Sequence, residues 1–396
     1  MTRRRRETIL SHGPSDRAGR ISPFIVMEVM EAAAARAATG AAVYHLEVGE
    51  PGGGAPSAAR AAAARALEGS PLGYTLPLGL PELRRAVSGL YRRWHGLDVP
   101  AERIAVTAGA SGAFILAFLA AFDAGDRVAL AEPGYPAYRN ILEALDVEVV
   151  GLPTGIAEGF QPTPDLLAAV PDLDGLVVAG PANPTGSIIG EGPMRNLVGH
   201  ARARGVRLVS DEIYHGLVFE GAASSALAFD DQTLVVNSFS KFFGMTGWRI
   251  GWLVMPDDLA PAIGRLAQNL FISPPAIAQH AALGALGAED ELRRRLPPLR
   301  RNRDRLLRAL ERGGVGRTAP AEGAFYLYAD LGDLTDDSPA FCKHLLAETG
   351  IAITPGTDFD RKRGHRFARL SYAGPEDEVA AAAGLLEPWL KAQGRR

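Results

Sequence analysis

The sequence predicts an α/β protein: a mostly parallel seven-stranded sheet sandwiched by helices, joined to a smaller α+β domain. Two observations carry this. Seven short apolar runs alternate with helical stretches through the first two thirds of the chain, as βα units do. Beyond about residue 257 helical patterning dominates, and strand-like runs return in the last ~85 residues.

The expected strands are Ile104–Thr107, Arg127–Leu130, Val147–Leu152, Gly175–Ala179, Arg207–Ser210, Thr233–Asn237 and Ile250–Val254. Helical patterns such as Ser111–Phe122 and Glu191–Arg204 lie between them. Residues 24–39 read as an amphipathic helix packed on the small domain. Glu289–Leu310 reads as one long arginine-rich helix bridging into that domain, where Ala324–Ala329 and Phe367–Tyr372 supply strands. The expected division is residues 1–45 as an N-terminal arm and part of the small domain, 46–290 as the large domain, and 291–396 as the small C-terminal domain.

The bulk numbers exclude several classes. A chain of 396 residues is long enough for two domains and a sizeable core. Its net charge of −3 lacks the basic excess of a nucleic-acid binder. A single cysteine, Cys342, permits no internal disulfide and no cysteine cluster for a metal, so no metal is expected and a reducing, cytoplasmic setting is. The basic run Arg3–Arg6 lacks a following apolar segment and reads as a disordered, solvated arm rather than a signal peptide. No apolar stretch reaches the ~18 residues of a membrane span.

In an open α/β sheet, ligands bind beyond the carboxyl ends of the strands. Five expected strand ends carry polar signals. Ala108-Gly109-Ala110-Ser111 opens a helix, and Glu132-Pro133-Gly134-Tyr135 presents an aromatic residue. Asn183-Pro184-Thr185-Gly186 brings an amide, Asp211-Glu212-Ile213-Tyr214 a carboxylate, and Ser238-Phe239-Ser240-Lys241 an amine. Each has a plainer reading alone: an N-cap, core packing, a turn, a surface charge, a solvated lysine. Brought to one crevice, they match the needs of a phosphorylated, carbonyl-bearing aromatic cofactor.

The segment from Ser238 through Lys241 to Arg249 and Gly251 resembles the cofactor-lysine segment of the class I/II, aspartate aminotransferase-like family. Asn183–Gly186, Ser210–Tyr214, Gly49-Glu50-Pro51, Tyr74-Thr75 with Gly79 and Leu83-Arg84, and Arg369-Leu370-Ser371 resemble further motifs of that family. The likeness runs from about Arg20 to about residue 385. It implies the fold type I architecture, pyridoxal 5'-phosphate (PLP) as cofactor, and a homodimer with shared active sites.

The resemblance also implies roles. Lys241 would hold the cofactor aldehyde as a Schiff base and shuttle the proton, which requires a lowered amine pKa. Asp211 would pair with the pyridine nitrogen and keep it protonated. Tyr214 and Asn183 would donate to the phenolate oxygen. Tyr135 would stack on the ring for about 1 kcal/mol beyond its area burial, with core packing as its alternative. Ser238, Ser240 and Arg249, with backbone N–H groups of Ala110 and Ser111, would hold the phosphate at a helix N-terminus. Tyr74 would reach the phosphate of the neighbouring subunit. Arg369 would clamp the substrate carboxylate, helped by Asn183 and the Gly49 N–H; a surface charge is its plainer alternative.

Two departures from the family pattern stand out. Residues 51–56 are glycine-rich where an aromatic residue is common, and Asp360 stands where glycine is common. No arginine for a distal substrate carboxylate is evident. The leading expectation is a ping-pong transfer of an amino group from an L-amino acid to a 2-oxo acid through pyridoxamine phosphate. Carbon–sulfur β-lyase, cyclase or decarboxylase chemistry on the same scaffold is the alternative, because fold does not fix reaction. A regulator with an aminotransferase-like domain would need a DNA-binding domain ahead of the match, and only about 20 residues precede it here.

Overall fold

The computed structural model describes residues 13–394. The basic run at 3–6 lies outside them. Seven strands form the central sheet: Ile104–Thr107, Arg127–Glu132, Glu148–Pro153, Gly175–Ala179, Arg207–Asp211, Leu234–Ser238 and Gly251–Val254. Numbered β1 to β7 in chain order, they lie side by side as β1-β7-β6-β5-β4-β2-β3. All neighbouring pairs are parallel except the two made by β7, which runs antiparallel to β1 and β6. The inner strands are buried along nearly their whole length, as a sheet covered on both faces requires. Helices Gly109–Ala121 and Glu191–Ala203 are among its cover, the first all but uniformly apolar because it is deeply buried.

Each expected strand is present, with ends displaced by a few residues. β7 starts at Gly251, because Arg249 adopts a left-handed backbone (φ 50°) that ends the preceding turn. For the same reason the later strand starts at Tyr326 rather than Ala324, whose φ is 57°. One expectation is corrected. Glu289–Leu310 is two helices, Glu289–Arg293 and Leu296–Arg312. Pro297 and Pro298 lack amide hydrogens, so they fit a first helical turn and interrupt a continuous helix.

A second, three-stranded antiparallel sheet sets Phe367–Ser371 between Thr354–Pro355 and Tyr326–Asp330. Helix Ile25–Ala38 packs on this part of the chain through Ala33, beside Leu346 and Ala352. Asp360 is buried but locally satisfied: its carboxylate accepts from the backbone N–H groups of Lys362 and Arg363 and pairs with the Arg363 guanidinium at 2.8 Å. No helix among the described residues is long and apolar enough to cross a membrane.

Candidate active site

The carboxyl ends of β4, β5 and β6 open onto a cavity of about 290 Å³. Asp211, the last residue of β5, forms part of its floor at 4% exposure. One carboxylate oxygen accepts from the Ile213 amide at 3.0 Å, the other from the Tyr138 hydroxyl. Burial pushes this carboxyl up to about 6, and the two donors oppose that shift.

Lys241 follows β6 by three residues. Because β5 and β6 are hydrogen-bonded neighbours in the sheet, with Asp211 paired to Val236, the amine and the carboxylate reach the same cavity. The Lys241 amine donates to the Gly49 carbonyl at 2.7 Å. Burial first, and the Arg369 charge second, bring its pKa down to about 8. Gly49 itself is crowded: a Cβ there would lie 1.8 Å from the Tyr326 hydroxyl oxygen.

Arg369 sits on the middle strand of the small sheet, 4% exposed. It donates to Asn183 Oδ1 at 2.9 Å, to Thr354 Oγ1 at 3.2 Å and to the Glu47 carbonyl. Its guanidinium carbon lies 4.5 Å from the Tyr326 ring centroid and 4.7 Å from that of Phe359. Its Nε is buried without a partner. The Asn183 oxygen is engaged by Arg369, so its amide NH₂ remains to donate. The Tyr214 and Tyr326 hydroxyls meet at 2.9 Å, and burial holds the Tyr214 phenol well above its usual range.

At the opposite end, helix Gly109–Ala121 presents the free N–H groups of its first turn, which include Ala110 and Ser111. Arg249 lies beside this helix start. A Cβ on Gly109 would come within 2.6 Å of its Nη2, so a side chain there would fill the cradle. Arg249 donates to the Thr246 carbonyl at 2.9 Å.

All but two of the residues singled out from sequence line this cavity. Ser238 does not. Its hydroxyl lies 2.9 Å from Ser240 Oγ and 3.0 Å from the Ile250 carbonyl, and it accepts from the Ser240 amide, so it braces the turn that carries Ser240. Tyr74 is 86% exposed on the surface of this chain. Tyr135 lines the cavity and stacks on Phe24, with ring centroids 6.0 Å apart at 24°.

Sequence reasoning missed three contributions. Tyr138 stands one helical turn beyond Tyr135 in helix Pro136–Ala144, a spacing that puts both on one face. Tyr326 belongs to a strand recognised from sequence only as a strand. Val26, Met27 and Met30 of helix Ile25–Ala38 form an apolar wall, where that helix was expected only to pack.

These residues fit PLP. The cavity offers a buried carboxylate for a ring nitrogen, an amine of lowered pKa for an aldehyde, and, where Gly109 leaves space beside Arg249, a cationic cradle for a phosphate.

The family model for aminotransferase class I and II matches residues 41–386. A valine–pyruvate aminotransferase of Mycobacterium tuberculosis is 49% identical over 382 residues, covering 95% of this chain and 98% of that protein. An aspartate/prephenate aminotransferase of Thermus thermophilus is 35% identical, covering 97% and 99%. Among solved structures, an aminotransferase from M. tuberculosis superposes with a TM-score of 0.94 at 49% identity, over 96% of this chain and 99% of that one. The T. thermophilus aspartate aminotransferase with maleate gives 0.89 at 34% identity, over 95% and 99%. The chain thus belongs to the class I and II aminotransferases, and with pyridoxal 5'-phosphate it moves amino groups between amino acids and 2-oxo acids.

Proposed function

We infer that this enzyme takes its amino group from an aliphatic L-amino acid, valine or a close relative, and passes it to a short 2-oxo acid such as pyruvate in two half-reactions. One observation carries the reading. The wall of the cavity formed by Val26, Met30, Val48, Phe114 and Ile141 is apolar, and its three basic side chains, Lys241, Arg249 and Arg369, each already have a task. An aliphatic side chain gains by leaving water for that wall, whereas a distal carboxylate would be buried there without a cation. The 49% identical M. tuberculosis protein, named for valine and pyruvate, supports the same choice.

Bound PLP supplies the electron sink that lets a Cα proton leave. Asp211 holds the ring nitrogen, with Tyr138 bracing it. Asn183 and Tyr214 donate to the ring oxygen. Ser240 and Arg249, with the amides of Ala110 and Ser111 and with Ser238 bonded to Ser240, would take the phosphate. Arg369 orients the substrate carboxylate. The Lys241 amine would hold the cofactor aldehyde and, when free, its Nζ would accept and return a proton beside the substrate.

Two copies sharing their sites complete the reading: Tyr74 is exposed, and Arg249 and Ser111 face solvent at the phosphate end. Residues 46–290 serve as the cofactor-binding body, and 1–45 with 291–396 as the smaller domain. The single cysteine, Cys342, fits a cytoplasmic setting. Mixing Tyr74→Ala and Lys241→Ala copies, each inactive alone, regenerates one intact site per hybrid dimer; no recovered activity would overturn the shared site.

Donor choice is tested by adding single amino acids to the holoenzyme and following loss of its visible band. Valine and other aliphatic donors bleach it and pyruvate restores it. Faster bleaching by aspartate would overturn the assignment.

A further inference from the structure

Next to Asp211 in the chain, but outside the cavity lining, three side chains converge that the transfer reaction does not use. Helix Pro81–His95 ends in His95. The segment after β5 supplies Glu212 and His215. One ligand-capable atom from each lies within 4.8 Å of the others. His215 and Glu212 are 3% and 1% exposed. His95 is half-buried and forms the lip.

The hydrogen bonding leaves this cluster incomplete. His215 Nε2 lies 2.9 Å from the Gly180 carbonyl, which only accepts, so Nε2 carries the proton and Nδ1 of the neutral ring presents a lone pair. That Nδ1 faces Glu212 Oε2 at 3.4 Å and His95 Nε2 at 3.4 Å. Glu212 Oε1 is satisfied by the Ser210 hydroxyl at 3.2 Å and the Ala226 amide at 3.0 Å. Oε2 has no partner in good hydrogen-bond geometry; the buried Ser225 hydroxyl is the neutral donor beside this carboxyl group. A proton on His95 Nε2 would serve His215 Nδ1 but leave Oε2 with no more than the neutral Ser225 hydroxyl. Among the described residues no arginine or lysine forms an ion pair with this carboxylate, and a buried, unpaired anion is costly.

A cation resolves all three positions. Tetrahedral zinc with bonds of about 2.0–2.1 Å to nitrogen and about 2.0–2.2 Å to oxygen sets its ligand atoms roughly 3.4 Å apart, the separation His215 Nδ1 keeps from both neighbours. The His215–carbonyl contact is the orienting hydrogen bond a metal-bound histidine ordinarily makes. We propose that His95, Glu212 and His215 form a zinc-type divalent-cation site, with water as fourth ligand on the half-buried His95 side. The ion ties helix Pro81–His95 to the segment that carries Asp211 and Tyr214, and its role is structural.

The test uses the holoenzyme, stripped with chelator, dialysed, and supplied with zinc alone. About one zinc per chain should be retained, the melting temperature should rise, and cobalt in its place should give the visible absorption of a tetrahedral centre. His95→Leu and Glu212→Gln should each weaken retention tenfold or more, while His95→Leu keeps its cofactor and its transfer activity. No zinc retained by the unchanged enzyme, or retention by the variants as strong as that of the unchanged enzyme, overturns the proposal. If Glu212→Gln does not fold, His95→Leu, changed at the half-buried lip, decides alone.

Discussion

Tyr138 donates its phenolic hydrogen to the Asp211 carboxylate on the floor of the cavity. The bond is charge-assisted and buried, a class worth about 1.5–3 kcal/mol. Tyr138→Phe keeps the ring, which packs edge-on against Phe114 at 5.0 Å, and removes only the donor. Its cofactor dissociation constant should rise by about tenfold, measured by equilibrium titration of the stripped protein, with little change in melting temperature. Unchanged cofactor affinity would mean that Tyr138 packs but does not position Asp211.

Lys241 governs a pH dependence of known sign. In its proposed role its amine would attack the cofactor aldehyde only when unprotonated, and burial with the Arg369 charge brings its pKa down to about 8. The rate of covalent attachment of PLP to stripped protein should therefore climb as pH rises toward about 8 and level off above it. Stopped-flow absorbance over a pH series gives the midpoint. Arg369→Gln removes the second cause of the shift and should move the midpoint upward. Lys241→Ala should bind PLP without covalent attachment, so borohydride should fix no label on it.

Arg369 combines fork-shaped donation with two flanking rings. Arg369→Lys keeps the charge but loses the planar fork. Loss of about 3 kcal/mol is expected for disrupting a buried charged contact of this kind, on the order of 100-fold in kcat/KM. Steady-state kinetics with valine checks it, and borohydride trapping should show the cofactor still attached.

Gly49 is held open by contact rather than by its backbone. Gly49→Ala drives a methyl group into the Tyr326 ring, which is only 2% exposed and cannot swing into solvent. Overpacking of this kind costs about 1–3 kcal/mol, read as a lower melting temperature. Adding Tyr326→Leu should recover much of that stability without recovering activity, because the hydroxyl beside Tyr214 is gone.

Much of the site was legible because its polar groups follow apolar runs. Asp211 ends a strand, Asn183 and Lys241 follow strand ends within four residues, and the parallel sheet delivers them together. Ser238 stands behind the cavity lining, hydrogen-bonded to Ser240 Oγ; spacing within a tight turn does not say which of two serines lines the cavity directly. Tyr326 and the Val26–Met30 wall were invisible as site residues, since their value depends on contacts with segments far away in sequence. The break after Arg293 had a signal in Pro297-Pro298, masked by the continuing run of arginines.

The cavity is assembled from parts of different origin. Its reactive floor is set by the hydrogen-bond ladder between β5 and β6, whose ~4.8 Å pitch does not depend on side-chain identity. Part of its apolar wall, Val26, Met27 and Met30, belongs to helix Ile25–Ala38, a separate segment of the chain. Selectivity is therefore free to drift, or to be redesigned by exchanging three residues of one helix, while the atoms that break and make bonds keep their places.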